Sequence, residues 1–532
     1  MAGTVSREVR NALAAVAISV VAYKLVKFLW TVFWEPLRLL RIMTKQGVKG
    51  PPFRPLIGHI FEPVAFAESF PEVLPLGNYD NLSPTITPQY ALYCPKYGKS
   101  FVYFWATNAR YVMRDAETAK EVFVTNHGSL KRIDIEETIT SLVVGRGLFT
   151  LMGDKWAMER KILTPFFHQD ALKGMVEAMV EATAIGIKKW EQTVALAGGS
   201  AEIDVQPDIH KISGRILSCT AFGGDFEKGE LIYELQSEVS RQLFINFRNP
   251  LSWIIPNYRK IPTPGNRYID TRNATIDALL RETIVGRRDV VRSGKTSSYG
   301  DDLLGRMLAA ASEGWDGNTS EFNLASVLNN CKLFYFAGQD TVANTVVFAM
   351  LMLAQHPEWQ ERARREVLEV LGSEENFNAS ALSRLKVVGM ILNETLRIFP
   401  PAPTNTRQAT KDLQLKKVFI PKGMILELPI TALHQDRDYW GDDVAEFNPG
   451  RFENGVSGAC THPQAFVPFG LGPKFCVGSN FALMEAKIAI SMAIRRFQIL
   501  PSPNYKHHPI FSIVARPKYG MPIILKALST TL

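Results

Sequence analysis

The chain has 532 residues, 46% of them apolar and 21% charged, with a mean hydropathy near zero. This is the balance of a globular protein with a large core, and it excludes a disordered or wholly membrane-embedded chain. Lys and Arg exceed Asp and Glu by 60 to 52, a formal +8 spread along the chain; no basic block carries interleaved aromatics, so no nucleic-acid partner is expected.

The first predicted element is the most biased. Asn11–Trp34 (NALAAVAISVVAYKLVKFLWTVFW) is apolar apart from Asn11, Lys24, Lys27 and a few small polar residues. A spanning helix needs about 20 largely apolar residues, which this stretch supplies if the two lysines snorkel. The alternative is a short span ending near Tyr23, followed by an interfacial helix through Leu40. The two lysines and the lack of a small-residue cleavage site argue against a removed signal peptide. Arg38, Arg41, Lys45 and Lys49 follow the segment, and the positive-inside rule then places the bulk of the chain in the cytosol. The Pro/Gly stretch beginning at Lys49 (KGPPFRPLIGH) reads as a hinge. Residues 1–48 are therefore assigned to the anchor and hinge start, and residues 49–532 to one catalytic domain.

Beyond the hinge most of the chain reads as helix. Patterns of helical period cover Asp115–Asn126, Asp154–Phe167, Ala171–Ala195, Asn273–Ser293, Leu324–Gln355, Pro357–Gly372, Ala381–Ile398 and Asn480–Phe497. Ser320 is a candidate cap for the longest, which stops where Pro357 cannot continue it. Strand-like runs are fewer: Ser100–Ala106, the NARYVMR segment after it, LKKVFIPKG and MILELPI mid-chain, and YGMPIILKAL near the end. The expected fold is mainly α with small β-sheets (α+β), the strands forming a small sheet on a helical body.

There are five cysteines, Cys94, Cys219, Cys331, Cys460 and Cys476, with no CxxC pair and no Cys/His cluster of zinc spacing. The pattern argues against a secreted disulfide framework. Four of them read as buried small hydrophobes. Cys476 differs, because it sits in FGLGPKFCVG among glycines 470, 472 and 478. It could be a structural thiol, a nucleophile, a zinc ligand or an iron ligand. A nucleophile needs a base, and none lies nearby in sequence. Zinc needs about four ligands, and the loop holds no other. A single thiolate suffices where a porphyrin fills the equatorial positions. The glycines would let backbone amides approach the sulfur, and the following helix would direct its positive end at a thiolate.

Phe469, Gly470, Gly472, Cys476 and Gly478 together resemble the heme-binding loop of the cytochrome P-450 superfamily. Lys474 departs from it, standing where the family usually has Arg or His. Three further motifs follow the family in order and spacing. Glu394 and Arg397 in ETLR share a helix face and resemble the family's ExxR; alone, such a pair is usually a solvated ion pair. Arg451, in Pro449-Gly450-Arg451-Phe452, would close a buried Glu–Arg–Arg cluster with a structural role; the family's usual Glu is Gly450 here. AGQDT, Ala337–Thr341, resembles the oxygen-activation groove, with small residues and a locally opened helix making room for dioxygen. There Thr341 would hydrogen-bond the dioxygen and Asp340 would relay protons; Val342 replaces a second hydroxyl residue. Trp156 and Arg160 in WAMER resemble a WxxxR pair that contacts a heme propionate, and Arg407 matches a position that often binds the other propionate.

The resemblance spans nearly the whole chain and is closest to the plant microsomal clan that modifies hormones and isoprenoid-derived compounds. It implies a heme-thiolate monooxygenase with heme b on Cys476, flanked by Phe469 and Lys474. Such an enzyme inserts one oxygen atom from O₂ into a lipophilic substrate. It draws electrons from NADPH through an NADPH–cytochrome reductase, and it is a monomer in the endoplasmic reticulum membrane with one span and a cytosolic catalytic domain. Two other readings stand beside it: a reductase-independent heme-thiolate isomerase or dehydratase, and a non-enzymatic membrane-bound heme protein. Retention of Asp340 and Thr341 disfavours both. Substrate selectivity is expected from Asn126–Leu148, Glu238–Pro264 and Phe334–Phe336.

Overall fold

The computed structural model describes residues 7–77, 79, 83–247, 249, 251–255, 258–312, 322–372 and 376–528. The N-terminal segment is one helical path: an α-helix Arg7–Leu29, a π-turn Trp30–Trp34 and an α-helix Glu35–Thr44. It has no break near Tyr23. Val9–Thr44 contains a window of mean hydropathy 1.9, none of it buried, so this helix is a candidate membrane anchor. Its last part belongs to the globule. Val32, Leu39 and Met43 are buried, and Arg38 donates to the Lys422 carbonyl at 3.1 Å.

Among the described residues twelve strands make four small sheets. Near the N-terminus are β1 (Phe101–Trp105), β2 (Asn108–Val112), β3 (Leu130–Lys131) and β4 (Ser200–Asp204). Mid-chain are β5 (Thr404–Ala409), β6 (Leu413–Gln414), β7 (Phe419–Ile420) and β8 (Ile425–Pro429). The last are β9 (Phe497–Pro501), β10 (Pro509–Ser512), β11 (Val514–Pro517) and β12 (Pro522–Ala527). The largest sheet has the order β1-β2-β8-β5-β3, with only β2 and β8 parallel, and β4-β12-β9 form a second, antiparallel sheet. The single small sheet expected from the sequence is thus divided: the early and mid-chain strands pair together, and the last strand pairs elsewhere. β10 and β11 form a hairpin whose turn residue Ile513 has φ 71°, a conformation costly for a β-branched side chain.

The long helix runs from Leu324 to Gln355, as its pattern predicts, through the middle of the main core. Its cap is Asn323, whose side chain accepts from the amides of Ala325 and Ser326; Ser320 lies outside the described residues. It packs against the helices Val205–Ala221, Lys386–Ile398 and Ser479–Arg496. The predicted helix Ala381–Ile398 is two helices, Ala379–Arg384 and Lys386–Ile398. The break is held by Glu366, whose carboxylate accepts from the amides of Lys386, Val387 and Val388 at 2.6–3.0 Å and so caps the second helix from a different element. Ala171–Ala195 is likewise divided, into Gln169–Lys173 and Val176–Leu196. Asp115–Asn126 ends in a π-turn from Glu121, and Asn273–Ser293 is the second half of a helix that begins at Pro264.

The cysteines correct one expectation. Only Cys331 is buried as a small hydrophobe; Cys94 and Cys460 are half-buried, Cys219 is exposed, and all five are free.

Candidate active site

The loop before the helix Ser479–Arg496 is shaped by its own backbone bonds. The amide of Gly470 donates to Val467, that of Phe475 to Gly472 and that of Cys476 to Phe469, at 2.9–3.0 Å. Gly470 and Gly472 take φ of 81° and 70°, which disfavours any side chain there. At Gly472 space also forbids one, since a Cβ would lie 2.3 Å from the Phe123 carbonyl oxygen. Cys476 therefore stands on a loop that cannot easily relax. Its side chain is exposed and lines a large cavity. Burial pushes its pKa up, opposed by the Gly478 amide and the Arg160 guanidinium. Of the loop's glycines only Gly478 bonds the sulfur; Gly470 and Gly472 set the turn instead.

The cavity measures about 1270 Å³, larger than the roughly 300–1,000 Å³ of an ordinary small-molecule site, and leaves room for a bulky group and a second ligand. Four cationic side chains line it near the thiol: Arg132, Arg160, Arg407 and Lys474. Among the described residues none of the four forms an ion pair with a carboxylate. Instead they donate to neutral oxygens: Arg132 to the Phe149 carbonyl at 2.7 Å, Arg160 to Phe475 at 2.9 Å, Arg407 to Thr406 at 2.6 Å and to Asn405, and Lys474 to Leu151. Lys474 also lies 4.3 Å from the centre of the Trp156 ring. Burial pushes all four pKa values down: to about 10 for Arg407 against the opposing field of Glu136, to about 9 for Arg132 with added repulsion from Arg407, and to about 6 for Lys474 with added repulsion from the three arginines. Gathering unpaired cations in one cavity is unfavourable unless an anion completes it. A flat, dianionic prosthetic group with a metal facing Cys476 fits this donor set. Phe469 lines the same cavity, its ring 6.1 Å from that of Phe475. Sequence reasoning missed Arg132, which belongs to no motif.

Across the cavity stands the long helix. Ala337, Gly338, Thr341 and Val342 line the cavity, and Asp340 does not. The helix is continuous through these residues, so the locally opened backbone expected from the motif is absent. Room comes from the small side chains instead. The Thr341 hydroxyl donates to the Ala337 carbonyl at 2.7 Å, which leaves its oxygen lone pairs free to accept. Asp340 is turned toward two neighbouring helices, where Tyr233 donates to it at 2.7 Å and His210 lies at 3.2 Å. Burial pushes its pKa up, but these two contacts, with the field of Arg516, outweigh burial and hold the carboxyl below its ordinary range.

Behind the loop lies the ion cluster. Glu394 and Arg397 are wholly buried and joined by two bonds of 2.7 and 2.8 Å. Arg397 also donates to the carbonyls of His434, Val444 and Glu446, and Arg451 approaches Glu394 to 3.5 Å. Asp443, missed in the sequence, pairs with Arg451 at 2.7 Å, beside the position where Gly450 offers no carboxylate. His434 is the second omission. Its Nε2 accepts from the Val467 amide at 2.9 Å, so Nδ1 carries the proton and donates to the Arg397 carbonyl at 3.1 Å. One imidazole thus ties the buried ion pair to the residue from which the cysteine loop departs.

The chain matches the sequence model described as Cytochrome P450 over residues 68–523. It is 36% identical to Cytochrome P450 734A2 of Oryza sativa subsp. japonica, over 97% of this chain and 95% of that protein. It is 34% identical to a cytokinin hydroxylase of Arabidopsis thaliana (93% and 94% covered) and 35% identical to a 7-deoxyloganic acid hydroxylase of Catharanthus roseus (96% and 98%). The chain belongs to the cytochrome P450 family. It is a heme-dependent oxidoreductase of the monooxygenase type.

Proposed function

We propose that this protein hydroxylates or otherwise oxidises a C–H bond of a lipophilic molecule of hormone, terpenoid or fatty-acid type. Its electrons come from NADPH through a membrane-bound reductase, and the anchor holds the catalytic domain on the cytosolic face of the endoplasmic reticulum. The observation that carries this is the cavity itself, which joins one thiol, four cations without carboxylate partners and an apolar chamber.

Cys476 would ligate the heme iron, and Arg132, Arg160, Arg407 and Lys474 would hold its propionates, with Trp156 beside Lys474. When bound, the heme supplies the activation of O₂, its thiolate ligand favouring O–O cleavage. The chain does the rest. The Gly478 amide tempers the donor strength of the sulfur. Thr341 presents its oxygen to the cavity as a hydrogen-bond partner, and Asp340 holds a carboxylate one residue away for proton transfer. Phe334, Phe336, Leu217, Val144 and Leu148 exclude water and bind apolar substrate surface. Phe244 and Phe511, lining the cavity and also exposed, give its mouth an apolar rim suited to ligands arriving from a bilayer.

Two hydroxylase relatives act, by name, on a cytokinin and on a deoxyloganic acid, which supports a small isoprenoid-derived substrate. The test is NADPH- and reductase-dependent O₂ consumption by the membrane-bound holoenzyme, screened with hormones, triterpenoids and fatty acids. Stimulation by one of them, with a matching binding spectrum, is expected. Turnover without reductase or NADPH would favour an isomerase instead. Thr341→Ala should raise the peroxide released per NADPH; unchanged release would remove Thr341 from proton delivery.

A further inference from the structure

Asp340 does not face the cavity, and what it faces has its own chemistry. His210, on the helix Val205–Ala221, places Nδ1 2.8 Å from the Gln206 carbonyl oxygen and Nε2 3.2 Å from Asp340 Oδ1. A carbonyl oxygen only accepts, and a carboxylate only accepts. A neutral imidazole has one N–H and can satisfy one of these two contacts. If Nδ1–H serves Gln206, the lone pair of Nε2 meets the charge of the carboxylate. Both contacts become hydrogen bonds only with one extra proton on the pair, either as imidazolium facing carboxylate or as neutral imidazole facing carboxylic acid. Tyr233, on the helix Phe226–Phe247, donates its hydroxyl to the same Oδ1 at 2.7 Å and fixes that oxygen in place. Asn344 holds the Asp340 carbonyl at 2.7 Å.

We propose that His210 and Asp340 form a shared-proton pair through which protons pass from solvent toward the cavity, with His210 as the outer, positioning member. This rests on the role given to Asp340 above. The location suits it: the side chains of His210 and Asp340 are 13% and 11% exposed, so the pair touches solvent but is not dissolved in it. On the other side of the backbone Thr341 lines the cavity. The other charges nearby are accounted for. On the helix of His210, Asp208 pairs with Lys189 at 2.6 Å, and Lys211 pairs with Glu230 of the neighbouring helix at 2.9 Å. Arg516, on β11, lines the cavity, and its field also acts on Asp340 and Tyr233. The step balances as a proton transfer: Asp340, by a change of rotamer or through one water, gives H⁺ toward the cavity. That proton is the shared one, moved from His210 Nε2 to Asp340 beforehand; His210, left neutral with Nδ1–H on Gln206, regains a proton at Nε2 from solvent and restores the pair, and no electrons move.

Two measurements on the reconstituted holoenzyme test this. The first follows the histidine Cε1–H resonances with pH in the diamagnetic reduced carbonyl form, with His210 assigned by its loss in His210→Gln. The pH profile of the His210 resonances should differ between the native protein and Asp340→Asn; identical profiles would overturn the shared proton. The second is the NADPH-to-O₂ ratio in vesicles containing reductase, with no organic substrate added. One NADPH per O₂ yields peroxide, and two NADPH with two further protons yield water. The water-forming share should fall with rising pH in the native enzyme. In His210→Gln it should be lower on the order of tenfold and lose that pH dependence, with thermal stability retained. His210→Lys, which keeps a proton donor, should recover part of it. A native pH profile in His210→Gln, beside a lowered share in Asp340→Asn, would overturn the pair alone. A native share in Asp340→Asn would overturn the role of Asp340 and the pair with it.

Discussion

Substituting His434 by Gln should change how stability depends on acid, by an amount the structure sets. His434 is fully buried and makes one hydrogen bond through each nitrogen, accepting at Nε2 and donating at Nδ1. A second proton has no acceptor to face. Burial, and then the charge of Arg397, push its pKa down from 6.5 to about 3. In the unfolded chain the ring takes up its proton near pH 6.5. The folded-state pKa is the lower one, so the stabilisation is complete above pH 6.5 and is lost as the pH falls toward 3. A full pH unit inside that window costs about 1.4 kcal/mol, so the native protein should lose on the order of 2 kcal/mol between pH 6.5 and 4.5 from this residue alone. Gln can accept from Val467 and donate to Arg397 without titrating. The assay is urea unfolding of the holoenzyme at several pH values, native against His434→Gln. All other titrating groups cancel in the difference. The variant should be less stable at pH 7 by about 1 kcal/mol from imperfect geometry, and its loss on acidification should be shallower by about one proton. Parallel pH slopes would refute the reasoning and would mean that His434 is not held neutral.

The loop and the cation cluster make further predictions. Gly472→Ala should prevent stable heme incorporation, because φ of 70° and a Cβ 2.3 Å from the Phe123 oxygen both oppose it; normal heme content in the purified variant would contradict this. Lys474→Arg should retain heme longer than the native protein, measured as transfer to a heme scavenger, since Arg adds a planar fork toward a carboxylate and keeps its charge on burial more readily. Equal rates would show that the Arg132, Arg160 and Arg407 cluster holds the propionates unaided.

The sequence was most readable where chemistry forces a pattern. Cys476 with its glycines, Glu394 with Arg397, and the long helix from Leu324 all occupy the places their spacing predicts. What escaped was contributed across elements. Arg132 reaches the cavity from a β3-linked turn with no local signature. Asp443 pairs with Arg451, and His434 reaches Val467, 33 residues on. The helices Val205–Ala221 and Phe226–Phe247 were not anticipated; the first carries Pro207, buried Asp208 and Gly214, which blur its apolar stripe. Those two helices bring His210 and Tyr233 to Asp340. This is why the acid in AGQDT could be recognised from sequence while its partners could not. Residues Arg248, Pro250, Pro256 and Asn257, in one expected substrate loop, lie outside the described residues, but Leu243 and Phe244 of that loop line the cavity. The β10–β11 hairpin also lines it, from Ile510 to Val514, and no sequence pattern marked it.

The central claim is that the single thiol of the FGLGPKFCVG loop is the axial ligand. The most direct measurement is the Soret spectrum of the reduced carbon monoxide complex in the native protein and in Cys476→Ala, each reconstituted with heme. The native protein should show the strongly red-shifted band of a thiolate-ligated heme, and the variant should lack it while the cation cluster still binds the porphyrin. The same band in Cys476→Ala would contradict the assignment of Cys476 as ligand.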